Sequence, residues 1–265
     1  MEYQGNILKM HTELAEPVRY SLQIGQDEVD MNKLIGQQIR LKFDGQINCI
    51  RCGRKTRTSF SQGFCYTCFQ TAPEASESIL RPELSKAHFG IARDIKWAEE
   101  QDLIDHYVYL AVSNELKVGV TRNHQIPTRW IDQGASRAIR LVKTPNRHIA
   151  GVTEVFLKNH FTDKTNWRTM LLNRINETID LHEEKRKALL LLPAELRQYA
   201  CDDNEIIHIN YPVTEYPVKI NNISFDKTPV VEGKLMGIKG QYLLFDGNQV
   251  LNIRKHSGYF LNLHC

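Results

Sequence analysis

Apolar and polar residues alternate with period two through residues 18–24 and 39–43, and Asp44-Gly45 follows as a turn signal. Such alternation sends every second side chain to one face, so both stretches predict half-buried strands. Residues 71–86, with Pro73 and Pro82, predict a linker carrying a short helix. A helix is expected over 91–104, with Glu99 and Glu100 on its polar face. Two strands, 107–112 and 116–120, flank the turn at Ser113-Asn114-Glu115. Pro127 predicts the start of a helix of about ten residues, and 139–142 reads as a third short strand. Helical pattern returns over 148–161 and 167–199, interrupted near Thr162-Asp163-Lys164, with Pro193 ending or restarting the second run. From 205 onward the chain is strand-rich, and Gly233, Gly237, Gly240 and Gly247 among alternating apolar residues predict a small, bent β-barrel. The two ends share this texture. One β module built from both ends, with an α/β unit inserted between them, is therefore expected.

A chain of 265 residues accommodates two domains, or one with a small appendage. The longest apolar run, 188–192, falls far short of the roughly 20 residues a membrane span needs. The first 14 residues contain no apolar h-region, so a cytoplasmic location is expected.

Four of the six cysteines, Cys49, Cys52, Cys65 and Cys68, form two Cys-x-x-Cys pairs within 20 residues. Two such knuckles can present four thiolates to one tetrahedral Zn2+, and a closed four-thiolate site is structural. A redox dithiol is the competing reading, and the ribbon spacing disfavours it. Cys201 precedes Asp202-Asp203 and has no basic activator beside it, so it does not read as a nucleophile.

Net charge is only +3, but it is unevenly spread. Residues 48–70 carry Arg51, Arg54, Lys55 and Arg57 and no acid, while 117–148 carry seven lysines and arginines against Asp132 alone. The rest of the chain is acidic. Two basic regions in such a chain imply an anionic partner such as nucleic acid. Arg51, Arg54, Lys55, Arg57, Arg122, Arg137 and Arg140 are the candidate contacts, and solvated surface charge is the bland alternative. Phe60, Phe64, Tyr66 and Phe69 interleave with the ligands and suit either a nucleic-acid face or the module's own core.

Tyr107-Val108-Tyr109, Lys117-Val118-Gly119-Val120-Thr121, Arg129-Trp130 and residues 153–161 resemble, in order and spacing, the GIY-YIG nuclease superfamily, over residues 105–167. The resemblance implies two adjacent strands carrying the name motifs, a helix with an arginine, and a later helix with a metal-binding glutamate. It makes Tyr109, Lys117, Arg129 and Glu154 the candidate catalytic residues, with Mg2+ or Mn2+ as cofactor. Lys117 stands where the superfamily's second motif has tyrosine, although some branches resemble this chain in having lysine there. The chain also resembles a bacterial zinc-knuckle family of unknown function. Phosphodiester hydrolysis would need an activated water, a divalent cation and a cation at the developing phosphate charge. Glu154 would hold the metal, Arg129 would clamp a phosphate oxygen and Tyr109 would orient the water. A buried Glu154 also suits a structural ion pair.

The expected fold is α+β. It comprises an N-terminal β segment (1–47), a four-cysteine zinc ribbon (48–70), a linker and helix (71–104), a GIY-YIG-like domain (105–200) and a C-terminal β-rich domain (201–265). Three functions fit. The first is a zinc-containing nucleic-acid-binding protein with divalent-metal-dependent phosphodiester cleavage. The second is RNA or DNA binding without cleavage on a degenerate nuclease fold, and the third is a protein-interaction scaffold.

Overall fold

A computed structural model describes residues 1–161 and 166–265, and the expected interruption at Thr162-Asp163-Lys164 lies outside the described residues. The chain divides into two compact units: Met1–Gln70 with Ile131–Gly134 and Ile209–Cys265, and Thr71–Trp130 with Ala135–His208.

The first unit begins with β1 (Glu2–Asn6), β2 (His11–Glu13), β3 (Arg19–Ile24) and β4 (Asp27–Asp30). The period-two pattern of β3 buries Tyr20, Leu22 and Ile24 on one face. The long β5 (Gln38–Asn48) buries Ile39 and Leu41 and exposes Arg40 and Lys42. It ends in the short β6 (Lys55–Thr56) and the six-residue helix α1 (Tyr66–Thr71).

In the second unit, residues 72–90 form no α-helix. They make short 3-10 turns at Pro73–Ala75, Glu77–Ile79, Pro82–Leu84 and Ala87–Phe89. Pro73 and Pro82 each open one of these turns. Helix α2 is shorter than expected, Ile95–Gln101, because the Asp94 carboxylate caps the Trp97 N–H and fixes its start there. Strands β7 (His106–Val112) and β8 (Leu116–Arg122) form the expected hairpin. The helix after Pro127, α3 (Thr128–Asp132), is half the expected length. Gly134, at φ +72°, ends it in the left-handed region. β9 (Arg137–Thr144) pairs with the other edge of β7, and α4 (Arg147–Lys158) follows, capped by Asn146. The expected helix over 167–199 is three pieces: α5 (Trp167–Leu171), α6 (Leu181–Leu191) and α7 (Ala194–Arg197). The Asp180 carboxylate caps the start of α6 and Pro193 precedes α7, so polar turn chemistry outcompetes the apolar periodicity. β10 (Ile206–His208) closes a four-stranded sheet of order β10-β9-β7-β8. Val108, Leu110 and Val112 point to one face of it and pack with Val118, Ile139, Leu141, Ala150, Leu157, Leu181, Ala188 and Leu192. Tyr107, Tyr109 and Ala111 therefore point to the other face.

The chain returns to the first unit with β11 (Asn221–Ile223), β12 (Val230–Lys239), β13 (Tyr242–Phe245), β14 (Gln249–Asn252) and β15 (Tyr259–His264). These do not close a separate C-terminal barrel. They join an eight-stranded sheet with the N-terminal strands, in the order β1-β15-β5-β12-β13-β14-β11, with β6 paired to β5. Leu41 of β5 pairs with Val231 on one side and Leu263 on the other, all three buried. Apolar matching across both edges of β5 fixes this register, since a slip by one residue would turn Arg40 and Lys42 inward. Among the described residues no helix is long and apolar enough to cross a membrane.

Candidate metal centre and basic surface

The Sγ atoms of Cys49, Cys52, Cys65 and Cys68 lie within 4.8 Å of one another, and those of Cys52 and Cys65 are 3.9 Å apart. Four thiolates at about 2.3 Å from a tetrahedral Zn2+ stand about 3.8 Å from each other, so the cluster fits one structural zinc ion. Local backbone chemistry builds both knuckles. In the first, the Cys49 N–H donates to the Arg54 carbonyl and the Gly53 N–H to the Cys49 carbonyl, each at 2.9 Å. That tight return puts Gly53 at φ +70°, a conformation costly for a residue with a Cβ. In the second, Phe60 and Phe64 exchange backbone hydrogen bonds, and α1 begins directly after Cys65, placing Cys68 in its first turn.

The thiols differ in acidity. Burial works to raise Cys49, but N–H groups of Cys52, Cys65 and Arg51 outweigh it and hold the thiol down at about 6. Cys68 is pushed up to about 12 by burial and by hydrogen bonds with Cys52, Cys65 and Cys49. The first thiolate forms readily and the last only at great cost, a cost that a bound dication removes.

In this cluster Cys49, Cys65 and Cys68 are buried and Cys52 is exposed. Arg51, Arg54, Lys55 and Arg57 are all exposed. Of the four aromatic residues, only Phe64 is core, at 7% exposure. Tyr66 is 57% and Phe69 36% exposed. Phe60, half-buried, supports both, its ring centroid 5.5 Å from Tyr66 and 5.8 Å from Phe69.

The second unit holds the other candidates. Tyr109 pairs with Gly119 across β7 and β8, and Lys117 with Ala111, so Tyr109 and Lys117 share one sheet face. Tyr109 is fully buried, its ring edge-on to Trp130 at 5.7 Å, beside Arg129. Its hydroxyl lies over Gly119, where a Cβ would meet it at 2.6 Å. Lys117 and Arg129 are half-buried. Glu154, 8% exposed, is 3.3 Å from Lys158 on α4, and Ala150 and Leu157 of that helix pack with the opposite sheet face. Glu154 and Arg129 each act electrostatically on Arg147. Burial brings that guanidinium down to about 10, Arg122 and Arg129 push the same way, and Asp102 and Glu154 oppose them.

The three remaining basic candidates are committed to the unit's own acceptors. Arg122 donates to the Gln101 carbonyl and lies over the Trp97 ring. Arg137 donates to the carbonyls of Asn176 and Ile179 and pairs with Glu177 at 2.8 Å. Arg140 pairs with Asp203 and Glu205 and lies over Tyr107.

A buried polar network accompanies them that sequence reading missed. Arg147 donates to the Ser78 and Ile79 carbonyls, each at 2.9 Å, and approaches Asp102 at 3.8 Å. Ser85 donates to Asp102 at 2.9 Å. His106, wholly buried, is driven down to about 4 by burial; its bond to the Ile104 carbonyl opposes this, and the charges of Arg147 and Arg122 add to it. These residues pin the 3-10 segment to α4, where a Cβ on Gly151 would stand 2.1 Å from the Glu83 nitrogen. No sequence spacing links Asp102 to Arg147, so only the closeness of Asn146, a capping residue, to Arg147 hinted that something was being positioned.

Comparison with curated proteins and with solved structures returned no match. A family model described as "Protein of unknown function (DUF2797)" matches residues 36–261, from just before β5 into β15 and through both knuckles, and the chain belongs to that family.

Proposed function

We propose that this is a zinc-containing nucleic-acid-binding protein. The observation that carries the reading is the surface of the zinc module: four exposed cations, no acid in 48–70, and exposed aromatic rings beside them. A bound Zn2+ would neutralise part of the charge of the four thiolates, three of which are buried, while the four cations stay exposed. Polyanion backbones bind such a surface by releasing counterions. In the full-length protein, replacing Arg51, Arg54, Lys55 and Arg57 together by alanine weakens binding to nucleic acid and leaves zinc content unchanged. With four phosphate contacts, the log–log salt dependence becomes shallower by about 3 to 4 for duplex DNA. Unchanged binding in that variant would leave the module a purely structural role. An acidic protein partner, the scaffold reading, would leave the wild type without nucleic-acid binding even at low salt.

A second reading, divalent-metal-dependent phosphodiester cleavage of the GIY-YIG type, is supported by the shared sheet face of Tyr109 and Lys117 and by the common field of Arg129 and Glu154 around Arg147. The three-stranded antiparallel core β9-β7-β8 also suits it. The burial of Tyr109 weighs against it, because a closed phenol cannot reach a substrate. On this reading Glu154 holds Mg2+ or Mn2+, Arg129 neutralises phosphate charge and Lys117 binds phosphate. Cleavage that requires Mg2+ or Mn2+ and disappears in Glu154→Ala supports it. Binding without cleavage, indifferent to Glu154→Ala, leaves the non-catalytic form.

A further inference from the structure

We infer that the zinc module grips single-stranded rather than duplex nucleic acid, by stacking bases on Tyr66 and Phe69. The inference rests on the nucleic-acid reading and names its substrate class. A module of this size would gain most by burying its aromatic residues, and it buries only one, Phe64, at 7% exposure. Tyr66 and Phe69 stand three residues apart on α1 and therefore on one side of that helix.

Both rings are held in place. Phe60 lies behind Phe69 with an interplanar angle of 22° and against Tyr66 at 60°. The Gln70 side-chain amide donates to the Tyr66 hydroxyl at 2.7 Å. Rings fixed in advance lose little freedom when a partner covers them.

The neighbouring charge selects the partner. Arg51, Arg54, Lys55 and Arg57 are exposed in the same module with no acid among residues 48–70. An apolar protein groove would not call for them, but a strand with one phosphate per base supplies an anion and a flat ring together. A duplex offers the phosphates but keeps its base faces closed within the stack. Helix α1, six residues and about 9 Å long, gives little to insert into a major groove.

The test uses full-length, zinc-loaded protein and fluorescence anisotropy with four probes of equal length. They are oligothymidylate, oligouridylate, a mixed-sequence duplex, and an abasic strand that keeps the phosphates and lacks the bases. The thymidylate or uridylate strand binds at least tenfold more tightly than the duplex at equal salt, and the abasic strand at least fivefold more weakly than its base-bearing counterpart. A preference between thymidylate and uridylate identifies DNA or RNA as the source, and equal binding leaves the shared stacking chemistry in force. Tyr66→Leu and Phe69→Leu each weaken single-strand binding roughly fivefold or more, with zinc content unchanged, while Tyr66→Phe retains it. Duplex binding equal to single-strand binding, or an abasic strand that binds as well as its parent, overturns the inference while nucleic-acid binding stands. Those two comparisons need no variant, so they decide the matter even if a substitution disturbs the knuckle. Failure of every probe at low salt removes the nucleic-acid reading itself.

Discussion

Gly119→Ala probes how tightly the central sheet holds Tyr109. The new Cβ would stand 2.6 Å from the Tyr109 hydroxyl and 2.7 Å from the ring carbon bearing it. Ordinary contact lies near 3.4 Å or beyond, so the ring must yield by about 0.7 Å. It has little room, being fully buried and edge-on to Trp130, itself 1% exposed. Overpacking of this kind costs about 1–3 kcal/mol, and the reduced unfolded-chain entropy of alanine returns roughly 0.5–1 kcal/mol. The net expectation is a loss of about 1–2 kcal/mol. Tryptophan fluorescence during urea denaturation is the assay, because Trp97, Trp130 and Trp167 all belong to the second unit. The midpoint falls by about 0.5–1 M. In a Tyr109→Leu background, where no ring covers Gly119, the same substitution is nearly neutral. A loss of equal size in both backgrounds would refute the claim that Tyr109 sits over Gly119.

Three further outcomes follow from the same geometry. Purified protein carries one zinc per chain; Cys65→Ser reduces this to a small fraction, whereas Cys201→Ser and Cys265→Ser leave it unchanged, as metal analysis checks. Acidification destabilises the second unit through His106. Its folded value of about 4 lies below the usual 6.5, so the unfolded chain binds the proton first and stability declines from pH 6.5 down towards 4. The contribution is about 2 kcal/mol between pH 6.5 and 5, and His106→Gln flattens that part of a urea-midpoint-versus-pH curve. Arg147→Met removes the donors to Ser78 and Ile79 and leaves buried Asp102 with the Ser85 hydroxyl and the charge of Arg122, at a cost of about 3–5 kcal/mol in the same fluorescence assay.

What was legible in the sequence was whatever depended on local spacing. The knuckles carry their own geometry: x2 spaces each pair of cysteines, Gly53 after Cys52 sets the first turn, and helix α1 carries Cys68 in the second. Strands β3, β5, β7 and β8 were legible from alternation or unbroken apolar runs. Helix lengths were less so: the run 167–199 keeps apolar residues at helical intervals, yet Asp180 and Pro193 decide where helices begin. The joining of the C-terminal strands to β5 depends on pairings more than 180 residues apart, such as Leu41 with Val231. Glycines alone suggested a barrel because bending and sheet-sharing call on the same residue.

The candidate residues separate along one physical line, burial, which composition cannot show. Tyr109 and Tyr66 each stand in a short motif, and neither motif by itself tells which ring is open to a ligand. The fold closes Tyr109 at 0% exposure and opens Tyr66 at 57%. Arg122, Arg137 and Arg140 likewise match Arg51, Arg54 and Arg57 in charge, but the first three are half-buried against carbonyls, carboxylates or aromatic rings of their own unit, whereas the last three are exposed. A guanidinium that gives up two good hydrogen bonds to meet a phosphate gains little. On the proposed nucleic-acid reading, the electrostatic weight of binding falls on the exposed cations of the zinc module, although the central region carries more arginines. Cleavage, if the second unit performs it, demands that Tyr109 open, and Gly119→Ala alters that same contact. A variant in which the displaced ring becomes solvent-accessible and Mg2+-dependent cleavage rises would tie burial of Tyr109 directly to restraint of the chemistry.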